Sequence, residues 1–306
     1  MKRLLLAAFV LLIHMGAYAQ TESERYEQRY DMLVSRLGPA GIGVATVLSN
    51  WEKTDSLNAK MLFGKFSYFF TKAQSTEVVT RPEKKYLGMS PVLSLKDSLG
   101  NDVNYYQVNV FDDGLYGQAI KAADRLISLW PDRLDYRFMK ANAYIAYEKE
   151  SPDMALAYLL DLVSENSLRT APWIYEEAEA EKGFFPEAMQ EYCYSFYTIG
   201  SQASYNAFLR LSQTLSKAFP DNTDFMNNIG SYYLVQKDYK NALKHYDKVL
   251  KKSPGDMTAI QNAVVASRRA QNIKAEKKYL AMMVQYGSEK EKILAKGRLD
   301  ALNAVK

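Results

Sequence analysis

The segment Thr223–Asp256 reads TDFMNNIGSYYLVQKDYKNALKHYDKVLKKSPGD, and its spacing decides the fold. Met226-x2-Ile229-Gly230-x2-Tyr233 places apolar and small residues three and four apart, on one face of a helix. Ala242-x3-Tyr246 takes up the same spacing after Lys237-Asp238-Tyr239, a polar stretch that turns the chain. Pro254 cannot continue a helix interior, so it ends the second helix. Asp256 follows and can cap the next helix through its carboxylate. Gly230 and Ala242 lack bulk, which lets two helices approach closely. Met226, Ile229, Tyr233 and Tyr246 fill the space between them.

The pattern recurs in register. Ile260-x2-Ala263-Val264-x2-Ser267 repeats the first helix and Glu276-x3-Leu280 the second; Met226 to Ile260 and Ala242 to Glu276 are both steps of 34 residues. A paired-helix unit at a fixed period of this kind resembles the tetratricopeptide repeat (TPR) family. The resemblance implies an all-α, TPR-like right-handed helical solenoid, whose concave face is lined mainly by the first helix of each pair. In the best repeats, 223–256 and 257–287, that face would include Asp224, Asn227, Ser231, Thr258, Gln261, Val265 and Arg268, a candidate surface for an extended or helical peptide. Some family members grip a C-terminal carboxylate with Lys, Arg and Asn. That clamp is not carried over, because the first helix of 223–256 has no Lys or Arg before Lys237.

Upstream, Ala119-x3-Ala123 and Pro131 keep the 12-residue interval that separates Ala242 from Pro254. Weaker helical patterns continue through Phe138, Ala155, Trp173 and Ala188, so the array is expected over 113–306. Glu176, Glu177, Glu179 and Glu181 are expected as the solvated face of one of its helices. Ser288-x2-Glu291 is a capping box, and 288–304 reads as a terminal capping helix with Ile293, Leu294, Leu299 and Leu302 as its apolar stripe.

Ahead of the array, 20–75 reads as a helical segment, with Tyr26, Tyr30, Leu33 and Leu37 at helical spacing. Residues 76–112 read as an irregular segment with a small β-hairpin at about 91–110, inserted before the main array. Asp97-Ser98-Leu99-Gly100-Asn101 is turn chemistry, and Val103, Tyr105, Val108 and Val110 favour strand. Val103-x2-Tyr106 also fits the first helix of a repeat ending at Pro131; the valines and the Gly-Asn turn favour the hairpin.

Lys2 and Arg3, the apolar run Leu4–Ile13 and the small residues Ala17 and Ala19 read as a signal peptide, 1–19, cleaved after Ala19. This predicts an exported protein, periplasmic or secreted, with no membrane span after cleavage. The 306-residue chain has a formal net charge of +4, and removing Lys2 and Arg3 leaves +2. That bias is too weak to argue for nucleic acid.

The functional classes left are few. One Cys excludes an intramolecular disulfide framework, and two His residues, His14 and His245, leave little for metal or acid–base chemistry. Cys193 has no Lys, Arg or His within three positions to activate it and reads as a small buried residue. No phosphate loop, Cys-x2-Cys or Asp-x-Asp-x-Asp-Gly loop occurs. No catalytic, cofactor or metal residue is therefore assigned. The expected function is a non-enzymatic protein–protein interaction scaffold or adaptor of the bacterial cell envelope, binding a protein or peptide. A carbohydrate-binding accessory role is the alternative, with Trp51, Trp130 and Trp173 as stacking candidates.

Overall fold

A computed structural model describes residues 20–304. The expected leader, 1–19, lies outside the described residues. The fold is an all-α, TPR-like helical solenoid with a few short strands, and its contacts divide it into two compact units.

The first unit comprises residues up to 77 together with 108–143. Helix α1 (Glu22–Leu37) opens with a capping box: Glu24 N donates to Thr21 Oγ1 at 3.2 Å, and Thr21 N donates to the Glu24 carboxylate at 2.8 Å. Helix α2 (Val44–Thr54) buries Val44, Val47, Leu48 and Trp51. Helix α3 (Ala59–Ala73) starts at Asn58, whose side chain accepts from Met61 N. It packs along α4 (Asp113–Leu129), where Ala119 and Ala123 are fully buried, as small residues must be at a close crossing. Tyr30, Trp51, Met61, Leu126 and Tyr136 complete this core.

α3 and α4 are therefore the two helices of one pair, and what joins them is not a tight turn. The chain leaves at Ala73 and returns at Asp112, whose N–H donates to Ala73 O at 2.9 Å. The β insertion thus sits inside a helix pair, not ahead of the array. The first helix of the pair ending at Pro131 is Ala59–Ala73, and 103–106 is strand. Two sequence expectations change as a result. Residues 113–143 join the N-terminal helices in one unit, because α4 finds its apolar partner in α3. The segment 76–112 is also more regular than expected, since β1 (Gln74–Arg81) joins β2 (Leu93–Lys96) and β3 (Asp102–Phe111) in a sheet of order β1-β3-β2. β1 is polar and almost wholly exposed, so it carries no alternation to read and is held by backbone pairing. β2 and β3 run antiparallel, with Leu93 opposite Tyr105 and Lys96 opposite Asp102.

The second unit comprises 78–107 and 144–304. After α5 (Leu134–Tyr147), which begins in the first unit, come α6 (Asp153–Leu168), α7 (Phe184–Ile199) and α8 (Gln202–Ala218). The acidic run between α6 and α7 is not helical. β4 (Ile174–Tyr175) and β5 (Ala178–Glu179) form a small antiparallel hairpin with Glu176 in the left-handed region, φ 55°. Carboxylates four apart, such as Glu177 and Glu181, would repel on a helix, and Pro172 and Gly183 bound the segment.

The two best repeats follow as α9 (Asp224–Val235) with α10 (Tyr239–Lys252), then α11 (Met257–Arg269) with α12 (Ile273–Tyr286). Each helix packs on the next, and α13 (Glu289–Ala304) packs on α12. The stripe foreseen on α13 is only half used. Leu302 is buried and Leu299 packs partly buried, but Ile293 and Leu294 are exposed, and Ala295 takes the inward position instead.

Candidate functional site

Within α9–α10 the residues of the repeat pattern meet as their types require. Ala242 and Tyr246 are fully buried and Ile229 nearly so, while Met226 and Tyr233 pack partly buried against the same core. Gly230 faces the Tyr246 ring. Pro254 lies two residues beyond the end of α10. The connection between the paired helices repeats as faithfully as the cores. Lys237 (φ 61°) and Gln271 (φ 55°) are both left-handed, and 34 residues separate them. Asp238 N donates to Tyr233 O at 2.9 Å, and Asn272 N donates to Ser267 O at 2.9 Å. Asp238 and Asn272 then cap α10 and α12 through Asn241 N and Ala275 N.

The seven candidate face residues divide into two groups. On α11, Thr258, Gln261, Val265 and Arg268 are all exposed at steps of three, four and three, a single stripe along the first helix of its pair. On α9, only Asp224 is exposed and Ser231 is half-buried, with its hydroxyl 3.3 Å from the Tyr246 hydroxyl. Asn227, expected on the same face, is instead buried. Its amide donates to the Asp256 carboxylate at 3.1 Å, so it joins two successive pairs rather than offering a group to a ligand. Asp256 can do this because the same carboxylate caps α11, accepting from Ala259 N at 2.9 Å. The neighbouring Asn228 is buried as well, exchanging hydrogen bonds with Gln190 on α7.

The stripe on α11 is braced from behind and beside. The Gln261 amide donates to the Glu291 carboxylate at the start of α13. Glu276, on α12, is buried, and Nε of Arg268 and Nε of Arg298 each donate to its Oε1 at 2.9 Å. Burial alone would raise the Glu276 carboxyl, but Arg298 and Arg268 outweigh it and hold the group below its ordinary value. Sequence reasoning missed this group. Glu276 occupies the position that Ala242 holds in the preceding repeat, and only the fold shows two arginines converging there.

The remaining candidates are accounted for by packing. Trp51 and Trp173 are buried, with their indole N–H groups donating to Ser23 Oγ and Asn166 Oδ1, and Trp130 packs partly buried on the first core. They form no exposed platform, which removes the observation that motivated the carbohydrate reading. Cys193 is fully buried and receives a hydrogen bond from Ser212 Oγ. His245 is half-buried and stacks on Tyr233; burial, then Lys248 and Lys244, push its pKa down. Among the described residues no group of three or more His, Cys, Asp or Glu could hold a metal, and no helix is long and apolar enough to cross a membrane.

A tetratricopeptide-repeat family model matches residues 200–256, which span α8, α9 and α10. Residues 200–256 carry the tetratricopeptide-repeat pattern. Repeats of this family are protein–protein interaction scaffolds, and α9 and α10 lie within the matched residues. No curated protein matches the chain. Two solved structures, both titled as crystal structures of MamA, resemble part of it. The first is 17% identical with a TM-score of 0.39, over 58% of this chain and 86% of the other. The second is 19% identical with a TM-score of 0.34, over 55% and 89%.

Proposed function

We propose that this TPR protein is a non-enzymatic scaffold or adaptor of the bacterial cell envelope, holding a protein or peptide along the first-helix face of its last repeats. The observation that carries the reading is the exposed stripe Thr258, Gln261, Val265 and Arg268 on α11. It alternates hydrogen-bonding groups with an apolar side chain that is 37% exposed, and Glu291 and Glu276 hold its Gln261 and Arg268 in place. A stripe held by its own neighbours loses little side-chain freedom when a polypeptide docks, which favours binding. Export is supported by the basic start, the apolar run Leu4–Ile13 and the small residues before Gln20.

Crosslinking in intact cells, followed by mass spectrometry, tests the reading. The expected result is one or a few envelope proteins attached near α11, and their loss when Val265→Asp and Thr258→Arg are introduced together. Capture of no partner, or of partners unaffected by those exposed substitutions, would refute this surface.

A further inference from the structure

The C-terminal repeats differ in charge from the helices before them. Residues 237–304 carry 15 Lys and Arg against 7 Asp and Glu, a net +8, while 144–236 carry 5 against 13, a net −8. Both segments belong to the second unit, and the near-neutral total conceals the opposition.

The positive charge is concentrated on the second helix of the best repeat. Lys240, Lys244, Lys248 and Lys251 are exposed at steps of four, four and three, on one face of α10. They edge an open groove of about 580 Å³ whose floor is Tyr239 and Leu243 and whose far wall is the α11–α12 turn at Ala270 and Asn272. One carboxylate lines the groove, Asp247, and it is already engaged by Lys278 Nζ at 2.6 Å and the Tyr279 hydroxyl at 2.9 Å. None of the four lysines forms an ion pair among the described residues. A row of like charges over an apolar floor is repelled by itself and relieved by an acidic polypeptide.

The chain carries such a polypeptide. The hairpin between α6 and α7 exposes Glu176, Glu177 and Glu179, and the exposed Glu181 follows, so four carboxylates fall within six residues. We propose that the lysine-lined groove of α10 docks the acidic β4–β5 hairpin of a second copy of the chain. The two surfaces differ, so the contact is heterologous, and a pair joined by one contact keeps a free hairpin on one copy and a free groove on the other. Association therefore extends beyond a pair, and salt weakens it, because the Debye length falls to about 3 Å at about 1 M salt. This face lies on the second helix of the pair, apart from the α11 stripe, and does not depend on that stripe's role.

Sedimentation velocity of the purified full chain tests the proposal, first at about 0.02 M and then at about 1 M salt. Low salt should give a weight-average mass about twofold or more above one chain, and high salt should return it to one chain. The variant Lys240→Ala, Lys244→Ala, Lys248→Ala and the variant Glu176→Gln, Glu177→Gln, Glu179→Gln should each remain single chains at low salt. Mixed together they retain one intact groove and one intact hairpin between them. They should form a pair of two chains and nothing longer. Circular dichroism melts matching the parent chain establish that these exposed changes leave the fold intact. A parent chain that stays monomeric at low salt overturns the proposal. So does association that survives loss of the lysines, or that the hairpin changes leave unaltered, as binding of some other acidic surface in the groove would produce.

Discussion

A Cβ on Gly230 would lie 2.5 Å from Cε1 of Tyr246. The ring belongs to a fully buried side chain and its hydroxyl approaches Ser231, so it has no room to retreat. The helices α9 and α10 meet at this point only because position 230 has no side chain. Gly230→Ala should cost about 1–3 kcal/mol, the usual cost of overpacking a filled core. Thermal melts followed by circular dichroism measure it, at about 2–4 °C per kcal/mol for a unit of this size. An unchanged melting temperature would mean that this crossing does not set the spacing of the pair.

Glu276 ties the last repeat to the capping helix. Glu276→Gln keeps the shape and removes the charge that Arg268 and Arg298 share, and should cost about 1–3 kcal/mol near neutral pH. The pH dependence gives a second check. The folded carboxyl lies below its ordinary value, so its contribution is complete above the unfolded carboxylate value of about 4.3 and is lost as pH falls through the folded one. The parent chain should therefore lose its advantage over Glu276→Gln on acidification from about pH 5 downward. Parallel stability curves for the two proteins in that window would contradict the pairing.

The left-handed turn residues are both non-glycine, which costs about 1–2 kcal/mol of steric strain per position. Lys237→Gly should remove the strain at a smaller entropic cost, for a net gain of about 0.5–1 kcal/mol. Lys237 is exposed, so no packing is lost. Denaturant unfolding reads the effect directly, and a lower midpoint would show that the Lys side chain contributes more than its backbone costs.

The Cys193 thiol is pushed up to about 12 by burial, a rise that hydrogen bonds from Ser212 and Asn228 only partly offset. Maleimide at about pH 8 should leave it unmodified in the folded protein and label it once denaturant opens the unit. Labelling of the native chain at the rate of a free thiol would show that α7 and α8 open readily around it.

Much of the fold was legible because a repeat states its own register. The 34-residue step carried Gly230, Ala242, Tyr246 and Pro254 to their places, and Asp256 to its capping role. All four candidate positions on α11 are exposed, whereas on α9 Asn227 is buried. Helical periodicity places Asn227 and Thr258 alike on a first-helix surface, but it has no means of showing that a capping Asp256 turns back to claim one of them. The pairing of α3 with α4 was hidden for a related reason: 39 residues of strand and turn lie between Ala73 and Asp113, so no local spacing links them.

By itself the sequence determined the class of the fold and its unit. Small, aromatic and turn residues recur at intervals that only a stack of helix pairs can bury, and that information is local. The tertiary structure alone decided which polar side chains are spent inside and which remain exposed. It brought Arg268 and Arg298 to one carboxylate, closed the β insertion on Ala73, turned the acidic run into a hairpin and left a row of lysines on α10 without an ion pair among the described residues. These outcomes depend on distances between residues far apart in the chain, and the free energy of a charge or an amide is set by what stands within a few ångströms of it, not by its neighbours in sequence.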